Sequence, residues 1–255
     1  MGLDPDPRKI PQHLLSASSL IDAVIAFNRA IIEATEPYAC GFKLNLAFFE
    51  ALGREGWRVM EETIAAVSSD SLLIADGKRG DIGNSAEFYA RSVFEQLGFD
   101  ACTVTPYMGR DAVEPFLRYE GKAAFVLSRT SNPGARDFQE WGAADELLFE
   151  RVVRLVSEWA QDTPGEAGFV VGATDAKALK TVRSACPDLP LLIPGVGAQG
   201  GSAKQVIDVA ARGAGPVIVN SSRQVLYASQ GPDFASAAAI AANAIRQELQ
   251  PTRTS

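Results

Sequence analysis

The alternation of short apolar runs with longer amphipathic stretches constrains the fold of this chain more than any other feature. Eight runs have the length of a strand: 1–4, 39–44, 71–76, 100–105, 123–128, 167–171, 190–194 and 215–219. They are apolar throughout, which is typical of strands covered on both faces. Helical spacing of apolar residues occurs between them, at 19–35, 84–97, 145–160, 175–185, 202–212 and 234–249.

Eight strands separated by helices predict an α/β fold, a (β/α)8 TIM barrel, whose typical length of about 250 residues matches the 255 residues of this chain. A doubly wound open sheet is the structural alternative. The sequence has no linker rich in proline and serine and no break in composition, so we expect a single domain over residues 1–255. The longest polar connection, 129–142, has the character of an active-site loop, although a mobile surface loop is the alternative.

Composition excludes several classes of function. The net charge of −7 argues against nucleic acid as a partner. No apolar run reaches the roughly 18 residues of a membrane span, and no signal peptide is recognisable, so we expect no membrane partner. Three distant cysteines with no disulfide or zinc spacing favour the reducing cytoplasm. His13 is the only histidine, which argues against a Ser-His-Asp triad or a histidine-rich metal site.

Charged residues collect where the predicted strands end, and the ends of barrel strands are where active sites lie. Asp4 ends the first run, Lys43 the second, and Asp76 and Lys78 the third. An extended backbone would point the side chains of Asp76 and Lys78 to the same side, since they are two residues apart. Lys43, Asp76 and Lys78 are therefore candidates for a catalytic cluster, and Asp4 is a candidate substrate-binding residue.

Asp81 follows three residues later, where the strand gives way to a helix. It is either part of the charged cluster or the N-cap of a helix beginning near Ile82. Capping would explain Asp81 alone and would leave the other charged residues without a role. In the same way, Asp4 could cap the turn of the segment DPDP, and Ser131 could be a turn residue of TSNPG.

Two glycine- and serine-containing loops predict a phosphate site. Residues 193–201 follow the seventh strand and residues 219–223 follow the eighth, the usual phosphate position in these barrels. Glycine lets backbone N–H groups approach an anion, an amide side chain can donate to it, and arginine can form a bidentate pair with phosphate. The candidate substrate-binding residues in these loops are Gln199, Asn220, Ser222 and Arg223.

These motifs together resemble those of the orotidine 5′-phosphate decarboxylase family. DGKRGDIGNS resembles its Asp-x-Lys-x-x-Asp signature, PGVGAQGG its phosphate loop and VNSSR its last phosphate-binding segment. GLDPDP, FKLNLAFFEALG, TVTPYMG and TSNPGA are similar to the longer bacterial subfamily. The resemblance runs from Gly2 to about Tyr227, with the motifs in the order of the family.

The resemblance implies a (β/α)8 barrel, usually a homodimer with shared active sites, that uses neither a metal nor an organic cofactor. It implies conversion of orotidine 5′-monophosphate to UMP and CO2, the last step of de novo pyrimidine synthesis. By the same resemblance, Lys43 contacts the ribose and the charged network, Asp76 and Lys78 face the reacting carbon, and Asp81 reaches into the site of the partner subunit.

The resemblance also implies the substrate-binding roles. Asp4 would bind the ribose hydroxyls, Ile82 would accompany Asp81 into the partner's site, and Ser131 would contact the pyrimidine. Gln199 and Arg223 would hold the phosphate. A nucleotide is therefore the expected small-molecule substrate.

The chain departs from the family pattern in two places. Gly77 lies between the charged residues of the third run, where relatives usually carry a side chain, although neither charge is lost. Only three residues precede Asp4, whereas relatives usually have an N-terminal segment that completes the first strand. We therefore expect a shortened first strand.

Three other functions are compatible with parts of the pattern. A Schiff-base aldolase needs a neutral lysine, whereas carboxylates beside Lys78 favour its charged form. A magnesium-dependent sugar-phosphate decarboxylase or synthase would need another carboxylate near the second strand, where the chain has Lys43 and Asn45. A non-catalytic sensor of phosphate ligands would not need buried opposing charges.

Overall fold

The computed structural model describes residues 1–143, 146–196, 203–210 and 212–250, except the side chains of 204, 205 and 210. Eight strands form one sheet, in the order β1 (Gly2–Leu3), β2 (Gly41–Asn45), β3 (Leu72–Arg79), β4 (Ala101–Val104), β5 (Ala123–Arg129), β8 (Glu166–Val171), β9 (Leu191–Pro194) and β10 (Val217–Asn220). A separate antiparallel pair consists of β6 (Gly142–Ala143) and β7 (Glu146–Leu147). Each predicted apolar run overlaps one strand of the sheet, and the predicted (β/α)8 fold class is confirmed.

The described residues include eleven α-helices: α1 (Gln12–Ala17), α2 (Leu20–Thr35), α3 (Leu46–Glu50), α4 (Gly56–Ala65), α5 (Gly83–Arg91), α6 (Arg110–Leu117), α7 (Leu148–Ala160), α8 (Ala176–Ala185), α9 (Ala203–Ala210), α10 (Arg223–Leu226) and α11 (Phe234–Glu248). A π-helical turn, Ser92–Gln96, continues α5. The six predicted helices are confirmed, whereas α1, α3, α4, α6 and α10 were not predicted. None of the helices in the described ranges is long and apolar enough to cross a membrane.

The chain divides into two compact units, Gly77–Asn220 and the remainder formed by Met1–Asp76 with the segment from Ser221 onward. The proposed single domain over 1–255 stays a prediction. In the unit that contains the N-terminus, the ring of Phe27 stacks on that of Phe234 with 5.3 Å between centroids. The backbone N–H of Gly2 donates to the carbonyl of Ser221 at 2.8 Å, so β1 contacts the residue that follows β10.

The core of the unit Gly77–Asn220 depends on close approach of β5 and β8. Phe125 and Phe169 are buried on these strands. A Cβ atom at Gly168 would lie 2.8 Å from the ring of Phe125, a distance that real Cβ atoms do not tolerate. Glycine at this position therefore leaves room for the Phe125 ring beside β8.

A buried arginine joins the connections that precede β9 and β10. Arg183, on α8, is 3% exposed, and its guanidinium donates to the carbonyls of Pro187, Leu189 and Gly215 at 2.9 to 3.2 Å. Burial lowers its pKa. Because several carbonyl acceptors satisfy it, this cation stabilises the amino ends of two neighbouring strands.

Candidate active site

Lys43 and Asp76 form a buried ion pair in the unit that contains the N-terminus. The Nζ atom of Lys43 donates to Oδ2 of Asp76 at 2.6 Å, and the two residues are only 5% and 9% exposed. They lie on neighbouring parallel strands, with Asn45 of β2 opposite Asp76 of β3. Two residues that the sequence placed at strand ends are thus in direct contact.

Asp4 lies just after β1 and is held by residues from the other end of the chain. Its Oδ2 accepts a hydrogen bond from Ser222 Oγ at 2.6 Å. Its Oδ1 is buried and has no hydrogen-bond partner among the described residues. Asp4 does not cap the DPDP turn, because the side chain that accepts from Arg8 N is that of Asp6. The capping alternative for Asp4 is therefore wrong.

Tyr227 fixes the backbone beside Asp4. Its hydroxyl donates to the Asp4 carbonyl at 2.8 Å and accepts from the N–H of Asp6 at 2.7 Å. Burial raises the pKa of Tyr227 to about 12, so its hydroxyl stays protonated at neutral pH and keeps the donated bond. Sequence reasoning missed this residue, since its role depends on a contact between positions 223 residues apart.

The segment after β10 brings hydroxyl groups and an arginine together. Ser221 Oγ is buried and has no hydrogen-bond partner in the described part of the chain. Arg223 begins α10 and is exposed. Asn220 is the last residue of β10 and is 7% exposed. Buried polar atoms without partners are uncommon in native proteins, so this segment has unused capacity to bind a polar ligand.

Lys78 has an unusual backbone conformation in the unit Gly77–Asn220. Its φ is 46°, and it is the only residue other than glycine with positive φ in the ranges described. Its N–H donates to the side chain of Thr103 at 2.9 Å, and Thr103 is almost fully buried. A left-handed conformation at such a residue costs about 1–3 kcal/mol and is typical of functional sites.

This geometry corrects two details of the sequence prediction. Strand β3 continues to Arg79, three residues beyond the predicted end, and Arg79 O accepts from Thr105 N at 2.8 Å. Lys78 is within the strand but is not extended, so the simple two-residue alternation assumed for Asp76 and Lys78 does not apply at Lys78. Thr103 was not predicted, although a polar residue inside an apolar run was a visible signal.

Asp81 does not cap the following helix. Helix α5 begins at Gly83, and its N-cap residue, Ile82, makes no side-chain cap. Oδ1 of Asp81 instead accepts from the N–H of Ile82 at 2.8 Å. The capping alternative is therefore wrong. The large aliphatic side chain of Ile82 is 54% exposed.

Ser131 lies on the connection that follows β5 and is exposed. This connection contains a short 3-10 helix, Pro133–Asp137, so it is more ordered than the polar sequence indicates. Gln199 and most of the predicted phosphate loop after β9 lie outside the described residues. The phosphate role of Gln199 thus stays a prediction from the sequence.

A parallel eight-stranded α/β fold with charged residues at the carboxyl ends of its strands is typical of (β/α)8-barrel enzymes. Comparison with known families gives a more specific assignment. The chain belongs to the orotidine 5′-phosphate decarboxylase / HUMPS family, whose profile matches residues 3–239.

Individual relatives are similar over nearly the whole chain. An orotidine 5′-phosphate decarboxylase from Porphyromonas gingivalis is 47% identical over 254 residues, which cover 98% of this chain and 90% of the relative. The structure of Leishmania donovani OMP decarboxylase is similar with a TM-score of 0.81 and 37% identity, covering 96% of this chain and 92% of that one. Leishmania donovani UMP synthase has a TM-score of 0.81 and 38% identity, and the match covers 96% of this chain and 53% of the synthase chain.

Proposed function

We propose that this chain decarboxylates orotidine 5′-monophosphate to UMP and CO2, the last step of UMP biosynthesis. One observation carries the proposal: the complete charged set of Lys43, Asp76, Lys78 and Asp81 occurs in a chain that is 47% identical to a relative named orotidine 5′-phosphate decarboxylase. The ion pair of Lys43 with Asp76 supports the assignment of these residues to one chemical task.

Lys78 stabilises the negative charge on the reacting carbon and then protonates this carbon. When the bond to the carboxylate breaks, its electron pair stays on the pyrimidine carbon, and the protein must stabilise that charge electrostatically. The ammonium group of Lys78 stabilises the carbanion and then transfers a proton to the same carbon, which completes UMP. The reaction thus needs neither a metal nor an organic cofactor.

Asp76 acts on the departing carboxylate. Two like charges about 4 Å apart repel by about 4 kcal/mol at an effective dielectric constant of about 20, and loss of CO2 removes this repulsion. The bond from Lys43 holds the Asp76 carboxylate in a fixed position. We rank this effect below stabilisation of the carbanion, because the contribution of ground-state stress to catalysis is contested.

The remaining site residues bind the rest of the nucleotide. The Oδ1 atom of Asp4, which has no hydrogen-bond partner within the described ranges, is an acceptor suited to a ribose hydroxyl. Ser131 contacts the pyrimidine, and Gln199 and Arg223 bind the phosphate with help from the segment of Asn220 and Ser222. Binding of the phosphate supplies energy that can be used at the reacting carbon and in closing the 129–142 loop.

The protein acts as a homodimer in which Asp81 and Ile82 complete the site of the neighbouring subunit. The exposed side chain of Ile82 and the absence of a capping role for Asp81 support this arrangement. We place the enzyme in the cytoplasm, where its three free cysteines would stay reduced. Its partners are the nucleotide and a second copy of the chain, with no nucleic acid or membrane involved.

The family description also includes the name HUMPS. A sugar-phosphate enzyme is therefore the principal alternative function. At the second strand, where such an enzyme would need a carboxylate, Lys43 is paired with Asp76 and Asn45 caps α3 by accepting from Ala47 N at 3.2 Å. These contacts favour the decarboxylase. Purified protein offered orotidine 5′-monophosphate and a hexulose phosphate, each with and without magnesium, should convert only the nucleotide, and turnover restricted to the sugar phosphate would refute the proposal.

A further inference from the structure

The connection after β5 is closed by a pair of side-chain hydrogen bonds. The backbone N–H of Thr130 donates to Oε1 of Gln139 at 2.8 Å, and Nε2 of Gln139 donates to Oγ1 of Thr130 at 2.8 Å. Two bonds in opposite directions thus join residues nine positions apart. The loop that they close contains Ser131, which directly follows one of the joined residues.

Arg129 attaches both ends of this loop to the scaffold. It is the last residue of β5 and is 8% exposed. Its guanidinium donates to Oε1 of Glu140 at 2.5 Å and to the carbonyl of Thr130 at 2.8 Å, and it lies 3.3 Å from Oδ2 of Asp175. Asp175 also caps α8. The two ends of the loop are therefore held in place independently of Gln139.

Ser131 rests directly on the end of β8. A Cβ atom at Gly172 would lie 2.9 Å from the Cβ of Ser131 and 3.0 Å from its backbone nitrogen. The N–H of Gly172 donates to the carbonyl of Arg129 at 2.8 Å. The pairing of β5 with β8 shifts register between Leu127 and Arg129, and such irregularities redirect the residues that follow.

We propose that Gln139 is a positioning residue, which orients Ser131 toward the pyrimidine of the substrate by closing the loop on Thr130. The inference rests on the role given to Ser131 under the proposed function. Gln139 does not touch the substrate and acts only through Thr130, the residue that precedes Ser131. Its effect arises from preorganisation, because a contact that is already oriented costs less to form in the transition state.

A double-mutant cycle between positions 139 and 131 tests this proposal. Gln139→Ala should lower kcat/KM for orotidine 5′-monophosphate by about tenfold, the size expected for one well-oriented hydrogen bond. The same change made in a Ser131→Ala background should have almost no further effect, because the group that Gln139 positions is gone. Gln161→Ala, an exposed glutamine after α7, is the matched control and should leave kcat/KM unchanged in both backgrounds.

Additive losses in the cycle would overturn the proposal, since a residue that only stabilises the fold acts equally with and without Ser131. If Gln139→Ala does not fold, Gln139→Glu provides the second route, because its carboxylate can still accept from the Thr130 N–H but can no longer donate to Thr130 Oγ1. The loss caused by Gln139→Glu should also vanish in the Ser131→Ala background, and its persistence there would reject the positioning role. An inactive wild-type protein would refute the proposed function itself, whereas an active wild type with an additive cycle refutes only this inference.

Discussion

Two buried cations in this protein are satisfied in different ways. Lys43 is paired with a carboxylate, Asp76, on two neighbouring strands. Arg183 donates instead to backbone carbonyls in the connections that lead into β9 and β10. A buried ion pair is weak support for stability, because apolar residues of similar volume often stabilise as well. The partners of Arg183 are neutral backbone carbonyls. Its hydrogen bonds therefore hold the backbone in place and present no charged acceptor group to a substrate.

The difference between Lys43 and Arg183 corresponds to the different roles of the two ends of the strands in (β/α)8 barrels. Catalytic groups lie at the carboxyl ends of barrel strands, whereas residues at the amino ends contribute to stability. Lys43, Asp76 and Lys78 are assigned to the first class and Arg183 to the second. Substitutions in the two classes should therefore separate activity from folding.

The largest expected effect comes from Lys78→Ala. We expect kcat for orotidine 5′-monophosphate to fall by at least about a thousandfold, since both carbanion stabilisation and proton transfer are lost. The melting temperature should change little, because Lys78 is exposed. Lys177→Ala, an exposed lysine on α8, should retain full activity in the same assay. A Lys78→Ala protein with more than a tenth of wild-type kcat would remove the residue from the mechanism.

Replacement of Lys43 and of Arg183 by methionine tests the comparison between these two buried cations directly. Arg183→Met should lower the free energy of unfolding by about 3 kcal/mol, because several buried carbonyls lose their donor. Its kcat, measured at a temperature where the variant is folded, should remain near that of the wild type. Lys43→Met should lose both stability, by about 3–5 kcal/mol because the buried carboxylate of Asp76 loses its ion pair with Lys43, and activity. Urea unfolding gives the free energy of unfolding of each variant, and steady-state kinetics give its kcat. An Arg183→Met protein that is folded but inactive would contradict the assignment of Arg183 to stability alone.

Arg223→Ala should have a smaller effect that depends on the substrate. Loss of a charge-assisted contact with phosphate should lower kcat/KM for the nucleotide by up to about a hundredfold. The phosphate-free nucleoside should be a poor substrate whose turnover is almost insensitive to the same change. Equal losses on both substrates would show that Arg223 has a structural role in α10.

The smallest departure from wild-type activity is expected for a mixture of two inactive variants. If Asp81 completes the neighbour's site, a mixed dimer of Lys78→Ala and Asp81→Ala subunits has one intact site. With random exchange, about half of the dimers are mixed, so two-fold symmetry allows a recovery to roughly a quarter of wild-type activity. A mixture that remains inactive after subunit exchange has been verified by mass spectrometry would exclude the shared site.

The strands and the charged residues could be predicted from the sequence for different reasons. Strands buried on both faces leave continuous apolar runs, which is why all eight strands of the sheet were located. Helices such as α3 and α10 have five and four residues, too few for an apolar stripe to be recognised. The charges of Asp76 and Lys78 were visible, but the left-handed φ of Lys78 was not, because residue type does not determine the backbone angle there.

Contacts between distant parts of the chain could not be predicted from the sequence. Ser222 supports Asp4 across 218 positions, and Tyr227 holds the adjacent backbone. Neither contact has a local signature, because both depend on the chain returning to β1 after β10. The sequence indicated only that Gln139 is part of a polar loop, because its proposed role depends on the hydrogen bonds that it makes with Thr130.

The central claim, decarboxylation by the Lys78 cluster without a metal, is tested most directly by one parallel assay. Wild-type protein and Lys78→Ala, expressed and purified identically, are given orotidine 5′-monophosphate in the presence of EDTA, and UMP and CO2 are measured together. The account predicts equal amounts of both products from the wild type, and a rate lower by about a thousandfold from the variant, which also limits any contribution of host enzyme. Equal rates from the two preparations, or a wild type that needs added magnesium, would contradict it.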